Sequence, residues 1–303
     1  MPEIALMIEG QNGVNWERWQ AVVRRAERLG FHGLFRSDHF TNAEGPVEDS
    51  LELWTSLTWL ADNTDEIEFG PLVTPVSFRH PVFTARTAKD VDDLADGRLT
   101  LGVGAGWQER EHETFGFDLL DVPERFDRFE EGVEVISDLL ESDRPVSFDG
   151  DYYELDDALL RPRPDRPGGP PILVGGNGPN RTLPLAAAFA DEWNGVYLTP
   201  ERFAELNAHL DDLLDAEGRD PDDVARSTMT RVVYGRDDDE LAEVLDGRDP
   251  VELRERGMIV GTGSEVAAHL DRLDDAGADR VMLQWLDVTA LDRLDGLADD
   301  LLP

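Results

Sequence analysis

The chain contains no cysteine, which excludes disulfides, thiolate metal sites and thiol nucleophiles. Lysine is reduced to a single residue, Lys89, so every other basic side chain is arginine. Basic residues of both kinds number 28 against 66 acidic ones, giving a formal net charge of -38. Nucleic-acid phosphates need clustered Lys and Arg, and so acidic a surface repels a polyanion, which excludes nucleic acid as a partner. No run of about 18 apolar residues occurs. The start, Met1-Pro-Glu-Ile-Ala-Leu6, lacks the charged and apolar regions of a signal peptide. The expectation is a cytoplasmic protein without membrane contact. Metal chemistry is not expected either, because the six histidines show no ligand spacing and no calcium-loop pattern occurs. Nor is there a Gly-x-Ser-x-Gly nucleophile elbow. With these sources of reactivity removed, a bound cofactor is the expected one.

With 303 residues, 40% of them hydrophobic, the chain can bury a large core. The carboxylates are spread along amphipathic stretches and do not form one tail (Asp92, Asp93, Asp96; Asp211, Asp212, Asp215; Asp271, Asp274, Asp275). Such a surface suits concentrated salt, where the Debye length falls to about 3 Å near 1 M and self-repulsion is screened. A saline cytoplasm, as in salt-loving archaea, is therefore expected.

Short apolar runs alternate with longer amphipathic ones. Strands are expected at 5–8, 33–36, 67–74, 99–103, from 172, near Trp193, at 228–234 and at 281–285. Helices are expected at 16–29 (ending at Gly30), 50–61, from Pro81 to 96–97, 123–140, 180–190, 201–216 and 264–275 with Ser264 as cap. Residues 146–155 read as a hairpin around Asp149-Gly150, inserted after the fourth strand. The acidic stretch 235–258 reads as a second insertion, after the seventh. Eight strands separated by helices predict one α/β domain over 1–303, a (β/α)8 TIM barrel with insertions after strands 4 and 7. A doubly wound sheet would place its phosphate glycines after the first strand, where Ile8-Glu-Gly-Gln-Asn-Gly13 lacks the dinucleotide fingerprint.

Two strands run directly into glycine clusters, Leu101-Gly-Val-Gly-Ala-Gly-Trp107 and Pro170-Pro-Ile-Leu-Val-Gly-Gly-Asn-Gly-Pro179. Bare backbone N–H groups at a strand end can cradle a phosphate, or the glycines can simply make turns. The second cluster enters a helix, whose positive end favours an anion, with Arg181 available as a clamp. Asp38-His39, at the end of the second strand, can orient a heterocycle or exchange a proton, or act only as a loop cap. Thr74 can donate to a ring carbonyl. Arg79 and His80 read either as an anion site or as an ion pair and a helix entry. Trp107 can wall a pocket that Glu109, Arg110 or Glu111 face.

The segments Gly30-Phe-His-Gly-Leu-Phe-Arg-Ser-Asp-His-Phe40, Phe78-Arg-His-Pro81, Gly97-Arg-Leu-Thr-Leu-Gly-Val-Gly-Ala-Gly-Trp107, Pro171-Ile-Leu-Val-Gly-Gly-Asn-Gly178 and Leu185-Ala-Ala-Ala-Phe-Ala-Asp-Glu-Trp-Asn194 resemble the luciferase-like flavin-dependent oxidoreductases. Within that superfamily the chain is most similar to the branch using coenzyme F420. The resemblance implies a ring over the strand ends, with Asp38 and Thr74 near it and Ala105 and Gly106 beside the cofactor chain. It places Gly175, Gly176, Asn177 and Gly178 around the phosphate, and a non-proline cis peptide between Pro71 and Thr74. His39 matches the proton-exchanging histidine of the family's sugar-phosphate dehydrogenases. Their glutamate after the strand-four glycine and the asparagine three residues on are replaced here by Trp107 and Arg110, which argues against a sugar phosphate. The expected activity is hydride transfer between F420 and a small organic substrate. The alternatives are an FMN-dependent monooxygenase served by a partner reductase, and a flavin-binding barrel without catalysis. A homodimer is expected by resemblance only.

Overall fold

The computed structural model describes residues 1–302. The chain opens with β1 (Glu3–Ile8), α1 (Trp16–Leu29), β2 (Gly33–Arg36), α2 (Leu53–Asn63), β3 (Glu68–Pro71), β4 (Thr74–Pro75), α3 (Pro81–Leu94) and β5 (Leu101–Gly104). It continues through α4 (Glu109–Phe115), α5 (Val122–Glu141), the hairpin β6 (Val146–Asp149) and β7 (Glu154–Ala158), β8 (Ile172–Gly175), α6 (Thr182–Phe189), β9 (Glu192–Val196) and α7 (Pro200–Glu217). The last part comprises β10 (Ala225–Tyr234), α8 (Asp238–Leu245), α9 (Pro250–Glu255), β11 (Ile259–Gly261), α10 (Gly263–Asp275), β12 (Arg280–Gln284) and α11 (Leu291–Leu301). No helix among the described residues is long and apolar enough to cross a membrane.

The barrel strands pair in parallel in the order β3-β2-β1-β12-β10-β9-β8-β5-β4. Backbone bonds from Phe69 N to Arg98 O (3.1 Å) and Thr100 N to Phe69 O (2.9 Å) join β3 to the start of β5 and close the ring. β3 and β4 are therefore two halves of the third stave, interrupted at a cis Leu72-Val73 peptide within the segment expected. The result is the (β/α)8 barrel that the alternating pattern predicts. Each stave is buried on both faces and divides its side chains by parity. Ala5, Met7, Phe35, Leu173, Met229 and Met282 fill the barrel interior, whereas Ile4, Leu6, Ile8 and Leu34 pack outward beneath the helices.

Helix α1 shows the local logic. Asn15 caps it by accepting from Arg18 N, Gly30 ends it at φ 81°, and Trp19, Val22, Val23 and Ala26 form its buried stripe. Three expectations shift. Helix α2 starts at Leu53, with Glu52 as cap, because the Ser50 hydroxyl instead donates to His39 O at 2.7 Å. The cap of α10 is Thr262, in a reciprocal box with Glu265, and not Ser264. The stretch 235–258 folds as α8 and α9, which with β11 close a small core of Val233, Leu253 and Val260.

The hairpin β6-β7 is antiparallel, with a turn longer than two residues. Glu131 on α5 holds it by accepting from the N–H groups of Asp151, Tyr152 and Tyr153 at 2.8, 2.9 and 3.2 Å.

The bend at Val73 explains several glycines. A Cβ at Gly104 would lie 2.6 Å from Val73 Cγ2, and one at Gly175 3.0 Å from Val73 Cγ1. At Gly102 it would lie 2.1 Å from Pro71 O, a backbone atom with little freedom to move. Gly102→Ala is expected to lower stability by about 2–3 kcal/mol through overpacking, read as a drop in the thermal midpoint. An unchanged midpoint would show that the bulge yields.

Candidate active site

The carboxyl ends of the staves surround a cavity of about 680 Å3. Met7, Leu72 and Met229 form its apolar floor, continuous with the barrel interior. Of the residues expected from sequence, His39, Ala105, Gly106, Gly175, Gly176, Asn177 and Gly178 all line it. Asp38 and Thr74 do not. They lie behind the wall, where Thr74 Oγ1 donates to Asp38 Oδ2 at 2.8 Å and Arg79 is paired with Asp38. Arg79 also reaches Glu52 at 2.8 Å. Burial would lower the Arg79 pKa, but the charges and hydrogen bonds of Asp38 and Glu52 raise it overall. Arg79 is thus an ion-pair residue, and the pair braces the loop that carries His39.

His39 stands at the cavity edge with Nδ1 2.7 Å from Glu111 Oε1. Glu111 comes from the first turn of α4, is 1% exposed, and also accepts from Phe40 N at 2.9 Å. As a carboxylate it can only accept, so it fixes the ring proton on Nδ1 and leaves Nε2 for the cavity. Burial by itself would lower the His39 pKa. The hydrogen bond and charge of Glu111, with smaller contributions from Glu9 and Asp38, outweigh burial and raise it. Trp107 packs edge-on against the imidazole, with ring centroids 5.6 Å apart.

At the opposite end, Gly176 has φ 132° and donates its N–H to Asn194 O at 2.9 Å. The Asn177 side chain is clamped by Val196, donating to its carbonyl at 2.7 Å and accepting from its N–H at 2.8 Å. Asn177 therefore acts as a brace for the loop. Among the described residues, the N–H groups of Asn177 and Gly178 donate to no backbone carbonyl. Gly178 lies against Thr182 at the start of α6, a helix end with no side-chain cap. Arg181 turns away to Asp127 at 2.6 Å and to the Phe126 ring. The cation lining the cavity is instead Arg125, which donates to Gly106 O at 2.9 Å and whose Nε is buried without a partner. On the same lining, Asn194 Oδ1 is a buried acceptor without a donor. Unpaired donors and acceptors on one wall point to a polar ligand.

The sequence matches the luciferase-like monooxygenase family over residues 5–252. The chain belongs to that family. It is 33% identical over 228 residues to the F420-dependent glucose-6-phosphate dehydrogenase of Microbacterium testaceum, covering 72% of this chain and 64% of that protein. The enzyme of the same name from Amycolatopsis mediterranei is 30% identical over 276 residues, 86% of this chain and 78% of that one. Among solved structures, an F420-dependent secondary alcohol dehydrogenase in complex with an F420-acetone adduct superposes over 100% of both chains, with a TM-score of 0.84 at 23% identity.

In this luciferase-like barrel, the sequence reading missed Arg125, Asn194 and Glu9. Arg125 carried a usable signal: it sits in the first turn of α5, the helix end that disfavours a cation. Asn194 and Glu9 carried none, because only closure of the barrel turns their strand ends toward His39 and the glycines.

Proposed function

We propose that the chain is an oxidoreductase that moves a hydride between coenzyme F420 and a small organic substrate, with His39 handling the accompanying proton. The observation that carries this reading is the division of one cavity into an anion-binding end and a proton-exchanging end. F420-dependent names recur among the relatives, which favours the deazaflavin over FMN. At the anion end, the free N–H groups of Asn177 and Gly178, Thr182 and Arg125 suit a phosphate, and they offset the repulsion of so acidic a chain. Asn194 Oδ1 offers an acceptor to a ring N–H. A deazaflavin bound there would supply the hydride chemistry that the side chains lack. The residues do the rest: Leu72 and Val73 wall the cavity and limit water, and Glu111 orients His39.

The test is a fluorescence titration with F420 and FMN at high salt, with low salt as control. F420 is expected to bind more tightly, and the absence of F420 binding would refute the proposal. Arg125→Gln should weaken F420 by about 10- to 100-fold, the value of one charge-assisted contact. Its effect on the phosphate-free deazaflavin nucleoside should be small. Equal weakening of both ligands would remove Arg125 from the phosphate site.

A further inference from the structure

The charges around His39 narrow the substrate. The carboxylates acting on the imidazole are those of Glu111, Glu9 and Asp38. Glu9 lines the cavity and is held in place by Gln284 Nε2 at 2.6 Å and Gln11 Nε2 at 2.8 Å. The arginines nearest this end are already engaged. Arg79 is paired with Asp38 and Glu52, and Arg110 donates to the carbonyls of Asn42 and Gly45 at 3.0 Å each. Arg36 is enclosed by Ser56 at 2.6 Å and Leu51 O at 2.9 Å. Arg125 lies with Gly106 and has no contact with His39. An anionic group beside His39 would therefore meet carboxylates and no free cation.

Apolar surface is plentiful there. Trp107 lines the cavity, stands 61% exposed and presents its indole beside the imidazole. An aromatic side chain so exposed at a cavity edge gains little from the fold, and covering it with an apolar group is favourable.

We propose that the His39 end of the cavity accepts an uncharged alcohol and its carbonyl product, whose apolar flank packs on the Trp107 indole. This rests on the hydride-transfer reading above. In oxidation, the hydroxyl proton passes to His39 Nε2, and the carbinol C–H bond breaks with both electrons leaving as hydride to the oxidised deazaflavin. The C=O bond forms as they leave, and reduction reverses each transfer.

The test is calorimetric binding of cyclohexanone and of glucose 6-phosphate to the F420-loaded protein and to the cofactor-free protein. Cyclohexanone is expected to bind at least about tenfold more tightly than the sugar phosphate. Trp107→Ala should weaken cyclohexanone about tenfold, the worth of a largely covered aromatic face, and leave F420 affinity unchanged. Trp107→Phe should stay within about threefold, and in turnover the alanine variant should raise KM more than it lowers kcat. Because Trp107 is largely exposed, neither change removes core packing. Tighter binding of glucose 6-phosphate, or an unchanged cyclohexanone affinity in Trp107→Ala, would overturn the proposal. Failure of F420 to bind would instead refute the hydride-transfer reading, and the same comparison on the cofactor-free protein would still decide the substrate class.

Discussion

Replacing His39 with alanine is expected to lower turnover by about 10²- to 10⁴-fold, the range for loss of a positioned acid-base group, while F420 binds as before. His39 contributes Nε2 to the cavity and little to the fold, so the variant should retain its thermal midpoint. Glu111→Gln makes the finer test. The amide oxygen can still accept from Nδ1, so the tautomer survives and the plateau rate should change less than in His39→Ala. The carboxylate charge is lost, however, and that charge helps to hold the His39 pKa above its usual value against burial. In the oxidative direction neutral His39 accepts the proton, so the rate rises as pH climbs through its pKa. The rising limb should therefore move to lower pH in Glu111→Gln. Stability follows the same sign. A histidine with a raised folded pKa contributes fully below its unfolded value near 6.5, and the contribution fades as pH rises through the folded value. Glu111→Gln should thus cost more stability at pH 5.5 than at pH 9. A pH-rate limb that stays in place, or turnover of His39→Ala within tenfold of the parent, would show that this pair does not handle the proton.

The glycine-ended strands show how far the sequence could be read. That two neighbouring strands end in glycine at a common rim is local information, and periodicity was enough to place both on a barrel. Their purpose is divided in a way no linear pattern reveals. Gly102, Gly104 and Gly175 make room for Pro71 O and the Val73 side chain, whereas Gly176 and Gly178 shape the turn into α6. The first role depends on a bend some thirty residues earlier in one case and a hundred in the other. Asp38 and Thr74 illustrate the same difficulty. Both were rightly placed at strand ends, but Arg79 draws them together behind the cavity wall. Arg181 and Arg125 exchange their expected parts because Asp127 and Glu130, one helix away, capture the first. Side chains that meet across separate staves were legible as candidates, and their partners were not.

The opposite end of the barrel carries the second large effect. Arg280, at the start of β12, donates to Glu3 at 3.0 Å and Glu68 at 2.6 Å, and lies 3.4 Å from Glu192. Its guanidinium also sits over the Phe35 ring, 5.7 Å from the centroid, so it closes the base of the interior core. One cation thus serves three carboxylates from three other staves. Glu192 is almost wholly buried, and burial raises its pKa despite the attraction of Arg280. Removing the guanidinium leaves these carboxylates facing one another with only His32, 3.0 Å from Glu3, to balance them. Arg280→Met is expected to cost about 3–5 kcal/mol near pH 7, the range for breaking a buried ion pair from one side. For a chain of this size that is a fall on the order of 10 °C in the thermal midpoint. The loss should shrink toward pH 5. Without Arg280 the carboxyl pKa values rise further, and a carboxyl whose folded pKa is raised gains stability as pH falls through it. His32, whose pKa the Glu68 hydrogen bond raises, becomes charged over the same interval and adds to the recovery. Adding Glu192→Gln to Arg280→Met should restore part of the loss at pH 8 and little at pH 5. Thermal melts at the two pH values decide the matter: an equal loss at both would mean that Arg280 acts through packing on Phe35 and not through its charge.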